Sequence, residues 1–279
     1  MIGLRGLSIF RCDFTKPVEP LRLVSAGSLG SILRTVFILR TGAVSGRGNL
    51  QDHGFLILPG VFGPREIETL IGTVSRVGDK DGVCSRRGKY AIRNLLQLAP
   101  EIAGLANSTK LRQIVERHLG HAADPVRGTL FDKTPAANWL VPWHQDLTIS
   151  VMARLDVPGY GPWTMKAGGC HVQPPVSILQ NMLSVRIHLD DCMESNGALR
   201  VLPGTHGLGR LSAAQIAEQQ SSVAPICCIA HKGDVVLMKP LLLHASSAAT
   251  EAAHRRVIHI DYASSPLDGG LQWPVTAGA

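Results

Sequence analysis

The chain has 279 residues and a formal charge of +7, with 45% hydrophobic but only 5% aromatic residues. That length buries one sizeable core plus a tail, and every long apolar stretch is interrupted, by Arg34 and Arg40 early and by Lys239 and Pro240 late, so no membrane span is expected. The basicity is local: residues 1–48 hold seven basic against two acidic side chains, and the remainder twenty-one against nineteen. With no recognition-helix pattern and no basic strand interleaved with aromatics, a nucleic-acid partner is not expected.

Residues 1–48 are rich in Gly, Ser and Arg and lack an apolar period, so they read as a poorly ordered basic N-terminal extension ahead of one domain over residues 49–279. A flexible tail or a start placed too far upstream fits better than a targeting segment, because Asp13, Pro17, Glu19 and Pro20 break any long amphipathic helix. The six cysteines form no C-x-x-C pair, and Arg11 and Asp13 cut the first apolar stretch, which argues for free thiols in a cytoplasmic setting. Adjacent Cys227 and Cys228 in "APICCIA" read as small core hydrophobes.

The domain opens with "GFLILPGVF", a short strand around Phe55 and Ile57. Pro64 then stands where a first helical residue belongs, and Ile67, Leu70, Ile71 and Val74 follow at helical spacing. A second helix is expected from a cap at Ser108 through Leu111, Ile114, Val115 and Leu119 to Gly120. A third is expected from Ser212, with Gln215 completing a capping box and Leu211 stapled to Ile216. From Arg127 onward short β-rich runs dominate: "RGTLF", "MLSVRIHLDD", "GALRVLPG", "GDVVLMK", "LLLHAS" and "RRVIHIDYAS". Helices first and many short strands afterwards give a mostly β fold with flanking helices, a cupin-like jelly-roll barrel. Residues 147–181 form a long Gly- and Pro-rich insertion, read as a lid, in which His171 is as much a structural as a substrate-binding candidate.

Two strands show one polar face. Ser184, Arg186, His188 and Asp190 oppose Leu183, Val185, Ile187 and Leu189; Arg255, Val257, His259 and Asp261 oppose Arg256, Ile258, Ile260 and Tyr262. A solvated face is the ordinary meaning of such a pattern; here a polar barrel interior is expected, with the apolar face under helices.

The segment "WLVPWHQDLTISV" puts His144 and Asp146 two residues apart, on one side of an extended backbone. Two histidines and one carboxylate suit non-haem Fe(II), leaving positions open for a bidentate cosubstrate and O₂. A bare H-x-D is weak evidence, and His259-Ile260-Asp261 is a second occurrence, but only 18 residues follow Asp261 and none is His. Asp146 is followed 98 positions later by His244, the expected third ligand. Eleven residues further stands Arg255, read as lying on a hairpin partner of the His244 strand, with a guanidinium suited to the far carboxylate of a dicarboxylic acid. Arg186, by its inward parity, and Lys133, from "FDKTPAANW" just before the metal loop, are further cosubstrate-contacting candidates. A solvated strand residue and a surface lysine are their ordinary readings.

Taken together, "HQDL" at 144–147, "NGALRVLPGTH" at 196–206, "GDVVLM" at 233–238, His244 and Arg255 resemble the phytanoyl-CoA dioxygenase family over about residues 50–265. The resemblance implies an Fe(II)- and 2-oxoglutarate-dependent dioxygenase with His144, Asp146 and His244 on iron and Arg255 on the C5 carboxylate. It implies hydroxylation or desaturation of a small organic substrate by O₂, without halogenation, since Asp146 is present. Some members carry a tryptophan ten residues before the Asn-Gly; this chain has Arg186 there, so packing around cosubstrate or substrate should differ. Two rivals stand beside this reading: a cupin-like metal hydrolase or isomerase, with no use for Arg255, and a non-catalytic binding protein.

Overall fold

The computed structural model describes residues 48–77, 83–85, 89–135, 138–166, 169–251 and 253–274. The basic extension therefore lies outside the described residues, apart from Gly48, which already pairs with Leu56. In chain order the strands are β1 (Gly48–Asn49), β2 (Phe55–Leu58), β3 (Val83–Ser85), β4 (Lys89–Ile92), β5 (Asp124–Lys133), β6 (Val141–His144), β7 (Ile149–Val151), β8 (Trp163–Lys166), β9 (Gly169–Val172), β10 (Met182–His188), β11 (Leu199–Val201), β12 (Ile226–Cys228), β13 (Val235–Met238), β14 (His244–Ser246) and β15 (Arg255–Ala263). The helices are α1 (Leu50–His53), α2 (Pro64–Arg76), α3 (Leu95–Leu98), α4 (Pro100–Ala106), α5 (Thr109–Leu119), α6 (Val176–Gln180) and α7 (Ala213–Ser222).

The helix signals act as read. Pro64, whose missing N–H costs nothing in a first turn, opens α2; the Ser108 hydroxyl caps α5, which ends on left-handed Gly120; and Ser212 with Gln215 forms a capping box on α7, where Ile216 packs on Leu211. Helices α2, α4 and α5 bury Ile67, Leu70, Val74, Ile102, Leu111 and Val115 against Leu183, Val185, Ile187, Ile258, Ile260 and Tyr262. This is the apolar face of β10 and β15 chosen by strand parity. Each such side chain contributes roughly 1.5–3 kcal/mol by leaving water, so the helix layer fixes which strand face points inward.

An eight-stranded sheet runs β1-β2-β13-β10-β15-β5-β4-β3, and a four-stranded sheet runs β12-β11-β14-β6. They share a second core in which Phe55, Val236 and Met238 of the large sheet meet Leu199, Val201 and Cys228 of the small one. Two sheets closed over a common interior make the jelly roll. Buried Cys228 and half-buried Cys227 pack in this core as expected.

Several expectations need correction. Arg255 and His244 are not hairpin neighbours: β14 pairs with β11 and β6, whereas β15 lies between β10 and β5 in the other sheet, because a jelly-roll connection crosses the interior. The run "LLLHAS" is strand only from His244; the preceding leucines form a turn that packs inward. The insertion is no plain loop, for β7, β9 and β8 form a three-stranded sheet whose Ile149, Val151 and Val172 share a core with Leu241, Ala263 and Leu271. Asp190 does not face the interior: past the end of β10 it turns to Arg256, with which it forms a two-pronged ion pair at 2.7 and 2.8 Å. Among the described residues no helix is long and apolar enough to cross a membrane.

Candidate active site

Strand β6 ends at His144, which stands opposite His244, the first residue of β14. Asp146 follows after a tight step fixed by its own N–H, which donates to the Pro240 carbonyl at 2.9 Å. Gln145, between them, points the other way and is buried. Its amide nitrogen donates to the Gly209 and Leu241 carbonyls at 2.7 Å each, while its oxygen accepts from the Leu211 N–H. The alternation His144-in, Gln145-out, Asp146-in thus delivers two ligand-type side chains to one point, beside His244.

One ligand atom from each of His144, Asp146 and His244 lies within 4.8 Å of the others. The Asp146 carboxylate is 3.8 Å from His144 Nε2 and 3.6 Å from His244 Nε2, and the two imidazole centres are 4.1 Å apart. Each histidine directs Nδ1 to the backbone carbonyl two residues before it, Pro142 and Leu242, both at 2.9 Å, which leaves Nε2 as the free donor. Histidine ligands are normally oriented in this way through their second nitrogen. Burial pushes His244 down to about 4, so it stays neutral and able to ligate. Burial opposes ionisation of Asp146, but His244, His259, Arg127 and His144 outweigh it and hold the carboxyl below its usual range. Two imidazoles that present Nε2 to one point and an anionic carboxylate fit a divalent ion of the iron type.

The cluster opens on a cavity of about 250 Å³. Arg255 is buried within it and donates to the Gly197 carbonyl at 2.7 Å. Gly197 is the first glycine of the "NGALRVLPG" motif; its φ is +76°, and a Cβ there would run into the Ser247 carbonyl and crowd Lys133 Nζ. The motif thus shapes the bed on which Arg255 lies. Arg186 is buried beside it and meets His259 Nδ1 at 3.0 Å. Among the described residues the Nε atoms of both arginines are buried with no hydrogen-bond partner, an arrangement that favours an incoming anion.

Lys133 is not a surface lysine. It is fully buried, donates to Ser246 Oγ at 2.6 Å and to the Ser247 carbonyl at 2.5 Å, and is pushed down to about 8 by burial and then by neighbouring Arg255. It does not line the cavity, so it supports the Arg255 bed from behind.

Sequence reasoning passed over much of the wall. Arg127 lies on β5 in step with Thr129 and Phe131, all three lining the cavity, and its Nε donates to Asp261 at 2.6 Å. His259 Nε2 and Ser184 Oγ reach the other Asp261 oxygen at 2.8 and 2.6 Å. The second H-x-D is therefore a buried support behind the cluster. The period-two polar spacing of β5 was the signal for Arg127, whereas Arg93, Trp139 and Lys166, which also line the cavity, had none. His171 sits buried in the insertion sheet with Nδ1 3.3 Å from Ser150 Oγ.

A jelly roll that carries this donor set and a cationic recess is an Fe(II)- and 2-oxoglutarate-dependent oxygenase. The chain belongs to the phytanoyl-CoA dioxygenase family, whose model matches residues 50–257. Solved structures share the fold. AviO1 from Streptomyces viridochromogenes Tue57 is 24% identical with a TM-score of 0.59, over 79% of this chain and 94% of that one. EctD from S. alaskensis with 2-oxoglutarate and 5-hydroxyectoine is 18% identical with a TM-score of 0.62, over 78% and 76%. HygX from Streptomyces hygroscopicus with nickel and 2-oxoglutarate bound is 19% identical with a TM-score of 0.56, over 77% and 85%. No curated protein sequence matches.

Proposed function

We propose that His144, Asp146 and His244 hold the iron, that Arg255 anchors the C5 carboxylate of 2-oxoglutarate with Arg186 as a second cation, and that the enzyme hydroxylates or desaturates a small organic substrate. The convergence of the three ligand atoms within 4.8 Å, at one end of a recess that also contains buried Arg255, carries this reading. Lys133, first weighed as a cosubstrate contact, becomes a positioning residue: it holds Ser246, whose hydroxyl also donates to the Gly197 carbonyl at 3.1 Å, the same oxygen that Arg255 uses.

Fe(II) held by His144, Asp146 and His244 would supply the oxidising chemistry, coupling oxidative decarboxylation of 2-oxoglutarate by O₂ to removal of a substrate hydrogen. The chain's own residues supply the rest. The His244 and Asp146 side chains present a neutral nitrogen and an anionic oxygen without proton rearrangement, and the Gln145 hydrogen bonds hold them in register. Arg255 and Arg186 place a fixed positive potential deep in the recess, which orients a dicarboxylate with one end toward the metal cluster. The leucine-rich turn at Leu241, Leu242 and Leu243 closes the back of the cluster from water. A hydrolase or isomerase on this fold would have no use for the buried Arg255. The buried free thiols Cys192 and Cys228 support a reducing, cytoplasmic setting.

The test is metal content and turnover of Asp146→Ala. Loss of the carboxylate is expected to lower Fe(II) affinity and abolish succinate formation from 2-oxoglutarate, while wild-type yield from the variant would remove Asp146 from the site.

A further inference from the structure

The cavity wall carries five cations, Arg93, Arg127, Lys166, Arg186 and Arg255, against one lining carboxylate, Asp146. Their partners can be counted. Arg127 is neutralised by Asp261. On the reading above, a divalent metal, the Asp146 carboxylate and a dianionic cosubstrate leave one surplus negative charge, which Arg255 balances. Arg186, Arg93 and Lys166 then remain, and among the described residues none of them has a carboxylate within ion-pair distance. Arg186 belongs to the deep, buried end with Arg255, whereas Arg93 is half-buried and Lys166 exposed, at the outer part of the same cavity.

Rim cations are ordinarily solvated surface charges. Here they extend a wall that is predominantly cationic, and among the described residues no carboxylate pairs with them. The positive potential also reaches His171: burial, then Arg127, Lys166 and Arg93, push it down to about 4, so this histidine stays neutral and adds no positive charge to the wall. Low-dielectric walls of one sign focus the field and concentrate the opposite charge in the cleft. The size of the space is a second constraint. At about 250 Å³ it lies below the ~300–1,000 Å³ of typical ligand pockets and must also admit 2-oxoglutarate, so the reacting part of the substrate is small.

We infer that the substrate is a small organic acid whose carboxylate or phosphate is held against Arg93 and Lys166 in the outer cavity, while its reacting carbon faces the His144, Asp146 and His244 cluster. This rests on the iron and 2-oxoglutarate reading, because that reading assigns the deep cations to the cosubstrate.

The test is ligand-observed NMR on protein loaded with Zn(II) and saturated with 2-oxoglutarate, which binds without turnover. Benzoate, 3-phenylpropionate and phenyl phosphate are compared with benzamide, 3-phenylpropionamide and phenol, on wild type and on an Arg93→Gln/Lys166→Gln double variant. At least one acid is expected to bind while its neutral counterpart does not, and the double variant is expected to weaken that acid about tenfold, since two partly exposed ion pairs contribute up to ~1 kcal/mol each. The affinity for 2-oxoglutarate, titrated separately, should stay within about twofold. Equal binding of acids and neutral counterparts, binding of neither, or acid binding untouched by the double variant overturns the proposal. Protein that fails to bind 2-oxoglutarate yet selects acids through Arg93 and Lys166 would contradict the cosubstrate reading alone.

Discussion

Gln145 Nε2 donates to the Leu241 carbonyl at 2.7 Å, tying the segment that carries His144 and Asp146 to the turn that delivers His244 three residues later. The same nitrogen also reaches the Gly209 carbonyl at 2.7 Å, so one buried amide fastens three chain segments behind the His144, Asp146 and His244 cluster. Groups that orient ligands from behind typically contribute 10–100-fold in metal affinity. Gln145→Ala is therefore expected to weaken Fe(II) binding by about that factor, measured by competition with a chromophoric chelator, with the three ligands intact. Unchanged affinity would show that the backbone alone sets the geometry.

Behind the opposite wall, Asp261 accepts from Arg127, His259 and Ser184. Burial alone would raise its carboxyl, yet Arg127 and His259 pull it well below the usual carboxylate range. A carboxyl depressed in the fold stabilises above its unfolded value near 3.8, and that contribution is lost as pH falls below it. Asp261→Asn should cost about 3 kcal/mol at neutral pH, the low end for breaking a buried pair, because 23% of the Arg127 side chain reaches solvent. Urea unfolding at pH 7 and pH 3 should then show the difference between wild type and variant shrinking on acidification. A constant difference would mean that the charge of Asp261 is not what the fold uses.

Lys133 titrates in the opposite sense. Its pKa is pushed from 10.5 to about 8 by burial and Arg255, so between those values the unfolded chain holds a proton that the folded chain has released. Stability must rise with pH across that window, and below pH 8 the buried charge is a penalty. Relative to Lys133→Met, wild type is expected to gain stability from pH 8 to pH 10.5 in denaturant unfolding. Parallel pH profiles for the two proteins would place the charge in a solvated setting.

The sequence made the grouping of His144, Asp146 and His244 and the inward faces of β10 and β15 legible, because strand parity and residue spacing are local properties. Ser184, Arg186, Arg255 and His259 all face the interior as parity requires. The sheet partners were not legible. That β14 and β15 lie in different sheets follows from a crossover that no local pattern records, and the burial of Lys133 depends on Ser246 and Ser247, more than 110 residues away. The three strands hidden in the insertion were masked by its glycines and prolines, which read as loop until Val172 and Ile149 are seen to share a core with Leu271.

The most direct test of the account separates two adjacent arginines on β15. Arg255 is buried in the cavity beside Arg186, whereas Arg256 is turned away and clamped by Asp190 at 2.7 and 2.8 Å. Calorimetric titration of 2-oxoglutarate into anaerobic Fe(II)-loaded Arg255→Leu should show affinity lower by roughly two to four decades, as for loss of one partner of a buried charge pair worth about 3–5 kcal/mol. Arg256→Leu should bind 2-oxoglutarate as wild type does and lose only about 1 kcal/mol of fold stability. Near-normal binding by Arg255→Leu, or equal losses in both variants, would contradict the assignment of Arg255 as the cosubstrate anchor.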